Sequence, residues 1–461
     1  MVLALYLAFL GFACAYALGD WRRGWLLVIV CGVIQDPVRK LTPGAPVVIS
    51  FLVVALYAAV LFGARNEIMT HVSEFGRRFG SVYTSLVVFF FILVIAALNG
   101  VFTYGFDKWK VPLLSLFTYC VPLVAAILGY TWLQREEWMY RFFRLYAAVT
   151  GIALIGTILE YLRVPWRILG LVAFEGEFIR HLPGIQIRLL SGIYRGPDVM
   201  ALHAAMLTCI AIAMALRAGL NKYALLWGGV ATWGFFNCMI AGRRKAIYMV
   251  VVFAVAFVWR YGRRLKAGQV LALLGVLVVL AGVVRELASD EKTSVYAAGA
   301  VASQQELRSR LEGGVMETFR QFGLMGAGLG AATQGVYHLL GDQANVGWQE
   351  GGLGKLAVEV GLPGMIAIAV MAWIVTRMLL VLTRIGDVPG SSQFIRAALF
   401  ALNVASIASF VASAQAYTDA VLALTAGFLV GCLFATAALD ERLAAAEPAA
   451  PAAELGQPLP A

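Results

Sequence analysis

Apolar runs separated by short polar connections make up almost the whole chain. Runs of about 17 to 25 apolar residues are long enough to cross the hydrocarbon core of a membrane as α-helices. The run at residues 24–35 is short for a spanning helix. The pattern therefore predicts an all-α polytopic membrane protein with 12 or 13 transmembrane helices. The predicted segments cover residues 2–18, 24–35, 46–63, 82–98, 111–130, 145–162, 197–216, 223–241, 246–259, 268–284, 362–382, 395–412 and 418–439.

One long polar stretch, residues 285–361, interrupts this pattern. Loops of this length inside a compact fold are usually functional. The stretch ends at residues 361–364, which read Gly-Leu-Pro-Gly, and proline there ends one helix and can open the next. We therefore predict a long active-site loop that carries helical segments, with an interfacial helix over 352–360 just before the next span.

Basic residues predict which connections share a side of the membrane. They flank alternate connections, and connections rich in arginine and lysine are retained in the cytoplasm. The loop at 285–361 and a shorter loop at 163–196 are then extracytoplasmic, together with the tight connection at 242–245. The cytoplasmic groups include Arg77 and Arg78, Arg141 and Arg144, Arg217 and Lys222, Arg263 and Arg264, and Arg377 and Arg384.

The composition supports a membrane domain and argues against several functions. Hydrophobic residues make up 61% and charged residues 13% of the chain, whereas soluble domains contain about 25% charged residues. The net charge is +10, but the basic residues lie in short connections, so nucleic-acid binding is not expected. The six cysteines fall in apolar stretches, which predicts neither disulfides nor a zinc site. No carboxylate or histidine cluster has metal-ligand spacing, and no metal or cofactor is expected.

A single integral membrane domain is expected over residues 1–440. The remaining residues, 441–461, are rich in alanine and proline. Such a segment cannot bury a core, and we predict a disordered cytoplasmic tail.

Basic residues on the predicted outer side suggest an anion-binding site. Arg243, Arg244 and Lys245 are consecutive on the side that normally avoids them. Arg188 and Arg195 flank a turn at the mouth of a span. A guanidinium group can bind two phosphate oxygens at once, although cations at a membrane interface also serve as anchors to lipid headgroups.

Three stretches, in this order, resemble motifs of bacterial O-antigen ligases and polysaccharide polymerases. Residues 188–202 resemble the family's R-x-x-G-x-F-x-x-P-N-x-x-A. Residues 241–246 resemble S-G-S-R-G/T-A at the head of a later span. Residues 350–364 resemble H-N-x-Y-L-x-x-L-x-E-x-G-L-P-G, which follows a long periplasmic loop in the family as it does here.

The resemblance implies a metal-independent membrane glycosyltransferase of the bacterial inner membrane with a periplasmic active site. Its donor would be an undecaprenyl-diphosphate-linked glycan and its acceptor a second glycan. Membrane lipids and other polysaccharide assembly proteins are further expected partners. The diphosphate is expected to bind to Arg188, Arg195, Arg243 and Arg244.

The third motif departs from the family at its first residue. Aligned on Pro363, the family's histidine is replaced by Glu350. Either Glu350 or His338, twelve residues earlier, is then expected to deprotonate the acceptor hydroxyl. Lys355 and Glu359 lie one helical turn apart and are expected to support the site, although an ordinary surface pair would have the same spacing.

Several functions fit this pattern. A polymerase of exopolysaccharide or O-antigen repeats is favoured, because a ligase acting on lipid A-core would be expected to keep the histidine. A transporter of polysaccharide or lipid is the alternative of another class, but transporters usually carry ionisable residues near the bilayer midplane. A scaffold subunit of a secretion machine would leave Arg243 and Glu350 without a role.

Overall fold

The computed structural model describes residues 1–172, 179–182, 185–289, 293–301, 315–333, 351–384 and 392–446. In this part of the chain, 11 helices are long and apolar enough to cross a membrane. The prediction of an all-α polytopic membrane protein is confirmed.

The helices follow one another with short connections. Two short strands, β1 (Ile179–Leu182) and β2 (Ile185–Arg188), form an antiparallel hairpin. The helices are α1 (Val2–Gly19), α2 (Trp21–Leu41), α3 (Leu52–Arg78), α4 (Gly80–Tyr104), α5 (Lys110–Trp132), α6 (Glu136–Ala153), α7 (Ile155–Tyr161), α8 (Pro197–Ala218), α9 (Lys222–Ile240), α10 (Arg244–Tyr261), α11 (Ala267–Ser289), α12 (Ser294–Val301), α13 (Gly352–Arg384), α14 (Gln393–Ala412) and α15 (Ala420–Ala446).

Two of the predicted spans, residues 24–35 and 223–241, are helical but are not among the 11. Charged residues at both ends of α2 lower its mean hydropathy. The helix nevertheless runs antiparallel to α1, because the Tyr6 hydroxyl donates to the Cys31 carbonyl at 3.1 Å while Gly24 packs against Ala17. Similarly, α9 runs antiparallel to α8, because Cys238 lies against the Ala201 carbonyl while Gly234 lies against Thr208.

Helix α8 lies at the centre of the bundle. Its apolar length is buried throughout, and it packs against α6, α9, α10 and α11. Small residues allow this close approach, as where Gly234 of α9 lies against Thr208 of α8. The position of α8 therefore fixes the residues at its N-terminus, which the sequence analysis placed in the first motif.

One end of the bundle gathers three connections that are joined by charged and polar side chains. Arg195 pairs with Asp419, and Lys245 donates to Ser413. We call the end that carries residues 189–196, 241–243 and 413–419 the site end. The other end carries the ion pairs Arg22–Glu67, Arg78–Glu441 and Arg396–Asp440.

Two segments bear on the predicted boundaries. Helix α13 has a break at Gly361, where φ is 62°, and the sequence predicts a helix stop at this position.

Helix α15 continues to Ala446, so residues 441–446 are helical rather than part of a disordered tail. Alanine favours helix at these positions, and Glu441 is paired with Arg78. The tail from residue 447 lies outside the described residues.

Candidate functional site

The turn before α8, residues 191–196, is held by charged side chains from two helices. The Glu160 carboxylate at the end of α7 accepts hydrogen bonds from the backbone N–H groups of Ser191 and Gly192 at 2.8 and 2.6 Å. The Lys40 ammonium group, at the end of α2, donates to the Gly192 carbonyl at 2.9 Å. Because the turn is tied through its backbone, its shape depends on residues far away in the sequence.

Arg195 lies in the same network. Its backbone N–H donates to the Asp36 carboxylate at 2.9 Å, and its guanidinium group pairs with Asp419 at 3.3 Å. Both carboxylates are buried. Since a buried ion pair must be well partnered to be tolerated, Arg195 joins α2 and the start of α15 to the turn.

Asp198 is the centre of a second charged cluster. This residue lies in the first turn of α8 and pairs with Lys245 at 2.6 Å and with Arg243 at 3.0 Å. Lys245 also donates to the Ser413 hydroxyl at 3.1 Å. The cluster therefore joins the start of α8, the start of α10 and the end of α14.

The β-hairpin brings Arg180 to this cluster. Arg180 is opposite Ile187 in the hairpin, so their side chains share a face, and Ile187 lies close to Gly242. Burial lowers the pKa of the Arg243 guanidinium group, Asp198 opposes this by favouring the charged form, and Arg180 adds to the lowering through its like charge. Three basic residues thus interact with one carboxylate.

Arg188 and Arg244 flank the contact between the hairpin and the turn at 241–243. Gly242 has φ of 68°, and a Cβ atom there would lie 2.6 Å from the Leu189 side chain. The Arg188 carbonyl accepts a hydrogen bond from the Tyr296 hydroxyl at 2.8 Å, which joins α12 to the hairpin. Glycine at 242 therefore allows the three predicted outer connections, residues 163–196, 242–245 and 285–361, to meet.

Lys355 and Glu359 form a buried pair, so the interpretation as a surface pair is wrong. Glu359 is fully buried, and its carboxylate accepts hydrogen bonds from the Tyr119 and Thr333 hydroxyls, both at 2.6 Å. The Lys355 ammonium group lies 3.4 Å from this carboxylate and donates to Thr333 at 3.1 Å. The pair fastens the first part of α13 to α5 and to the chain at residue 333.

A glycine-rich turn, residues 323–333, wraps around the Glu359 carboxylate. The backbone N–H groups of Gly330 and Ala332 both donate to it at 3.3 Å. Gly326, Gly328 and Gly330 have φ values of 71°, 87° and 100°, which other residues rarely adopt. The alternating glycines are therefore what allows the turn to bring two donors to one carboxylate.

The two predicted bases, Glu350 and His338, lie outside the described residues. The next residue after Glu350, Gly351, lies beside the end of α14, and a Cβ atom there would be 3.9 Å from the Val411 carbonyl oxygen. Ser413, two residues after Val411, accepts a hydrogen bond from the Lys245 ammonium group. The chain therefore enters α13 close to the Asp198 cluster.

The structure also shows polar residues that the sequence analysis missed. They lie within apolar runs or at their ends, where a single polar or charged residue gives no signal of its partner. The missed residues are Asp36, Lys40, Tyr119, Glu160, Asp198 and Asp419.

In the described ranges, no group of histidine, cysteine or carboxylate side chains is arranged to hold a metal ion.

Comparison of the sequence with models of protein families gives no match, and comparison with curated proteins gives no significant match. The resemblance to O-antigen ligases and polysaccharide polymerases therefore rests on the three motifs.

Proposed function

We propose that this protein is a membrane glycosyltransferase that transfers a glycan from an undecaprenyl-diphosphate carrier to a hydroxyl group of a second glycan. The observation that carries the proposal is the gathering of basic residues around Asp198 at the site end, where the predicted outer connections meet. The leaving diphosphate carries negative charge and needs no general acid. Preorganised cations stabilise such a leaving group.

Arg188 and Arg244 are the residues that we assign to the phosphate oxygens. The contact between Gly242 and Leu189 brings the end of β2 beside the start of α10, and each of these segments carries one of the two arginines. For Arg195 and Arg243, diphosphate binding stays a prediction from the sequence.

Glu350 is proposed as the base that activates the acceptor hydroxyl, with His338 as the alternative. The support is the motif position of Glu350 and the location of Gly351 close to the Asp198 cluster. A base within hydrogen-bond reach contributes about a hundred- to ten-thousand-fold to the rate. Glu350→Gln should therefore lower product formation by about two orders of magnitude or more. If that variant stays active while His338→Ala is inactive, the role belongs to His338.

The number of crossing helices and the positions of the arginines together support an orientation. If α2 and α9 cross beside the helices they pack against, the 11 apolar helices become 13, and the site end lies opposite the arginine-rich connections. We propose that the site end faces the periplasm and that the protein resides in the bacterial inner membrane.

Polymerisation of an exopolysaccharide or O-antigen repeat is the preferred reaction, and ligation to lipid A-core is the alternative. The preference rests on the replacement of the family's histidine by Glu350. Deleting the gene and sizing the lipid-linked glycans separates the two reactions. Single repeats accumulate on the carrier if a polymerase is lost, whereas full-length glycan stays on the carrier if a ligase is lost.

The decisive test of the proposal uses the deletion strain and matched arginine variants. Arg188→Lys and Arg244→Lys keep the charge but lose the two-pronged guanidinium contact, so we expect each to lower product at least tenfold. Arg167→Lys is the control, because Arg167 is exposed in the outer loop. A deletion strain with unchanged glycans would refute the proposed function, and full activity of both lysine variants would refute the assignment of the phosphate ligands.

A further inference from the structure

The Asp198 cluster combines charges that the related motifs lack. Aligned on Pro197, the first motif has asparagine where this chain has Asp198. Aligned on Gly242, the second motif has serine where this chain has Arg243, and glycine or threonine where it has Lys245. The arginine of the second motif falls at Arg244. Three departures from two separate motifs thus introduce one negative and two positive charges.

These three departures meet in space. Asp198, in the first turn of α8, contacts Lys245 at 2.6 Å and Arg243 at 3.0 Å. Lys245 lies in the first turn of α10, and Arg243 lies directly before that helix. The side chain of Lys245 is 6% exposed, and those of Arg243 and Asp198 are each 16% exposed. Each charge therefore depends on the others, because removing one partner leaves a largely buried charge without its counterion.

We propose that Asp198, Arg243 and Lys245 form one co-adapted charge lock that positions Arg244 for the donor diphosphate. The positioning of the donor rests on the proposed function, whereas the lock itself does not. Within the lock, Arg243 acts by holding Arg244 in place, and this role replaces the direct diphosphate binding that the sequence predicts for Arg243. Arg244 lies between the two locked cations in the sequence and is the first residue of α10. With its neighbours on both sides held by Asp198, and with Lys245 also bonded to Ser413 of the connection after α14, the backbone at Arg244 is fixed relative to α8.

If the three charges depend on one another, replacing Asp198 alone should be more harmful than replacing Asp198, Arg243 and Lys245 together. Asp198→Asn removes the negative charge and leaves two largely buried cations facing each other. The triple variant Asp198→Asn/Arg243→Ser/Lys245→Thr restores the uncharged residue types of the motifs. Its side chains are small or neutral, so none of the three positions then holds a charge that lacks a counterion.

The experiment compares wild type, Asp198→Asn and the triple variant as purified full-length protein in detergent. Thermal unfolding and transfer from an undecaprenyl-diphosphate-linked glycan are both measured. We expect Asp198→Asn to unfold at a lower temperature, and its KM for the donor to rise about tenfold or more, because Arg244 is displaced. We expect the triple variant to recover most of the unfolding temperature and at least tenfold in kcat/KM relative to Asp198→Asn. Asp198→Glu, which keeps the charge, should behave more like wild type than Asp198→Asn.

Each other outcome overturns part of the inference. Wild-type stability and KM in Asp198→Asn would refute the lock. A triple variant that regains stability but binds the donor as poorly as Asp198→Asn would show that Arg243 or Lys245 contacts the donor directly, and would refute the positioning role. If wild-type protein transfers no glycan at all, the proposed function fails, while the unfolding comparison still decides whether the lock exists.

Discussion

Replacing Glu359 by glutamine should destabilise the protein strongly, because the substitution keeps the shape of the side chain and removes its charge. The Lys355 ammonium group, 3.4 Å away and 5% exposed as a residue, would lose its counterion. Breaking a buried ion pair in this way costs about 3 to 5 kcal/mol. The short hydrogen bonds from Tyr119 and Thr333 would also weaken, since a hydrogen bond to a charged group contributes about 1.5 to 3 kcal/mol. These contributions overlap, so we expect a total loss of about 3 to 5 kcal/mol.

A double-mutant cycle measures this effect. Unfolding free energies are determined for wild type, Glu359→Gln, Lys355→Met and the double variant in mixed micelles. The double variant should be more stable than Glu359→Gln, because methionine leaves no buried charge behind. Glu441→Gln is the control, since Glu441 is exposed at the opposite end and its pair should contribute at most about 1 kcal/mol. A loss below about 1 kcal/mol in Glu359→Gln would refute the view that the pair fastens α13.

Three other predictions concern the break in α13, the Arg195–Asp419 pair and the orientation in the membrane. Gly361→Ala should lower the amount of folded protein measured by size-exclusion chromatography, because φ is 62° and a Cβ atom would lie 2.5 Å from the backbone of Met325; a normal yield would contradict this. Arg195→Ala and Asp419→Ala should each destabilise the protein by about 3 to 5 kcal/mol, and their losses should not add in the double variant, because each leaves the other charge buried. A cysteine at the exposed position of Trp166 should react with a membrane-impermeant reagent in spheroplasts, whereas one at Arg263 should react only after the membrane is permeabilised; the reverse result would overturn the orientation.

Sequence features that act locally could be predicted, and long-range partnerships could not. The break at Gly361 follows from a glycine and a proline two residues apart, and most spans follow from hydropathy alone. The spacing of Lys355 and Glu359 indicates a pair, but its burial depends on Tyr119 and Thr333, which come from other parts of the chain.

The same limit applies to the charges that hold the turn before α8. Asp36 lies near the end of a marginal span, and its contact with Arg195 joins residues 159 positions apart. Asp419 lies beside the last span and carries no local signal of its partner. A single sequence shows that these charges exist in an apolar setting, which is costly, but it does not show which of them meet.

The arrangement of the site end has a consequence for biosynthesis. Arg195 and Lys245 enter the membrane region early, with the segments around α8 and α10, whereas Ser413 and Asp419 are translated only after α14. Helix α8 is apolar enough to insert before its neighbours arrive, but the cations around it gain these partners only when the last two helices insert. Completion of the basic site is therefore coupled to completion of the chain. A nascent protein halted before α14 would contain Arg195 and Lys245 without their partners Asp419 and Ser413.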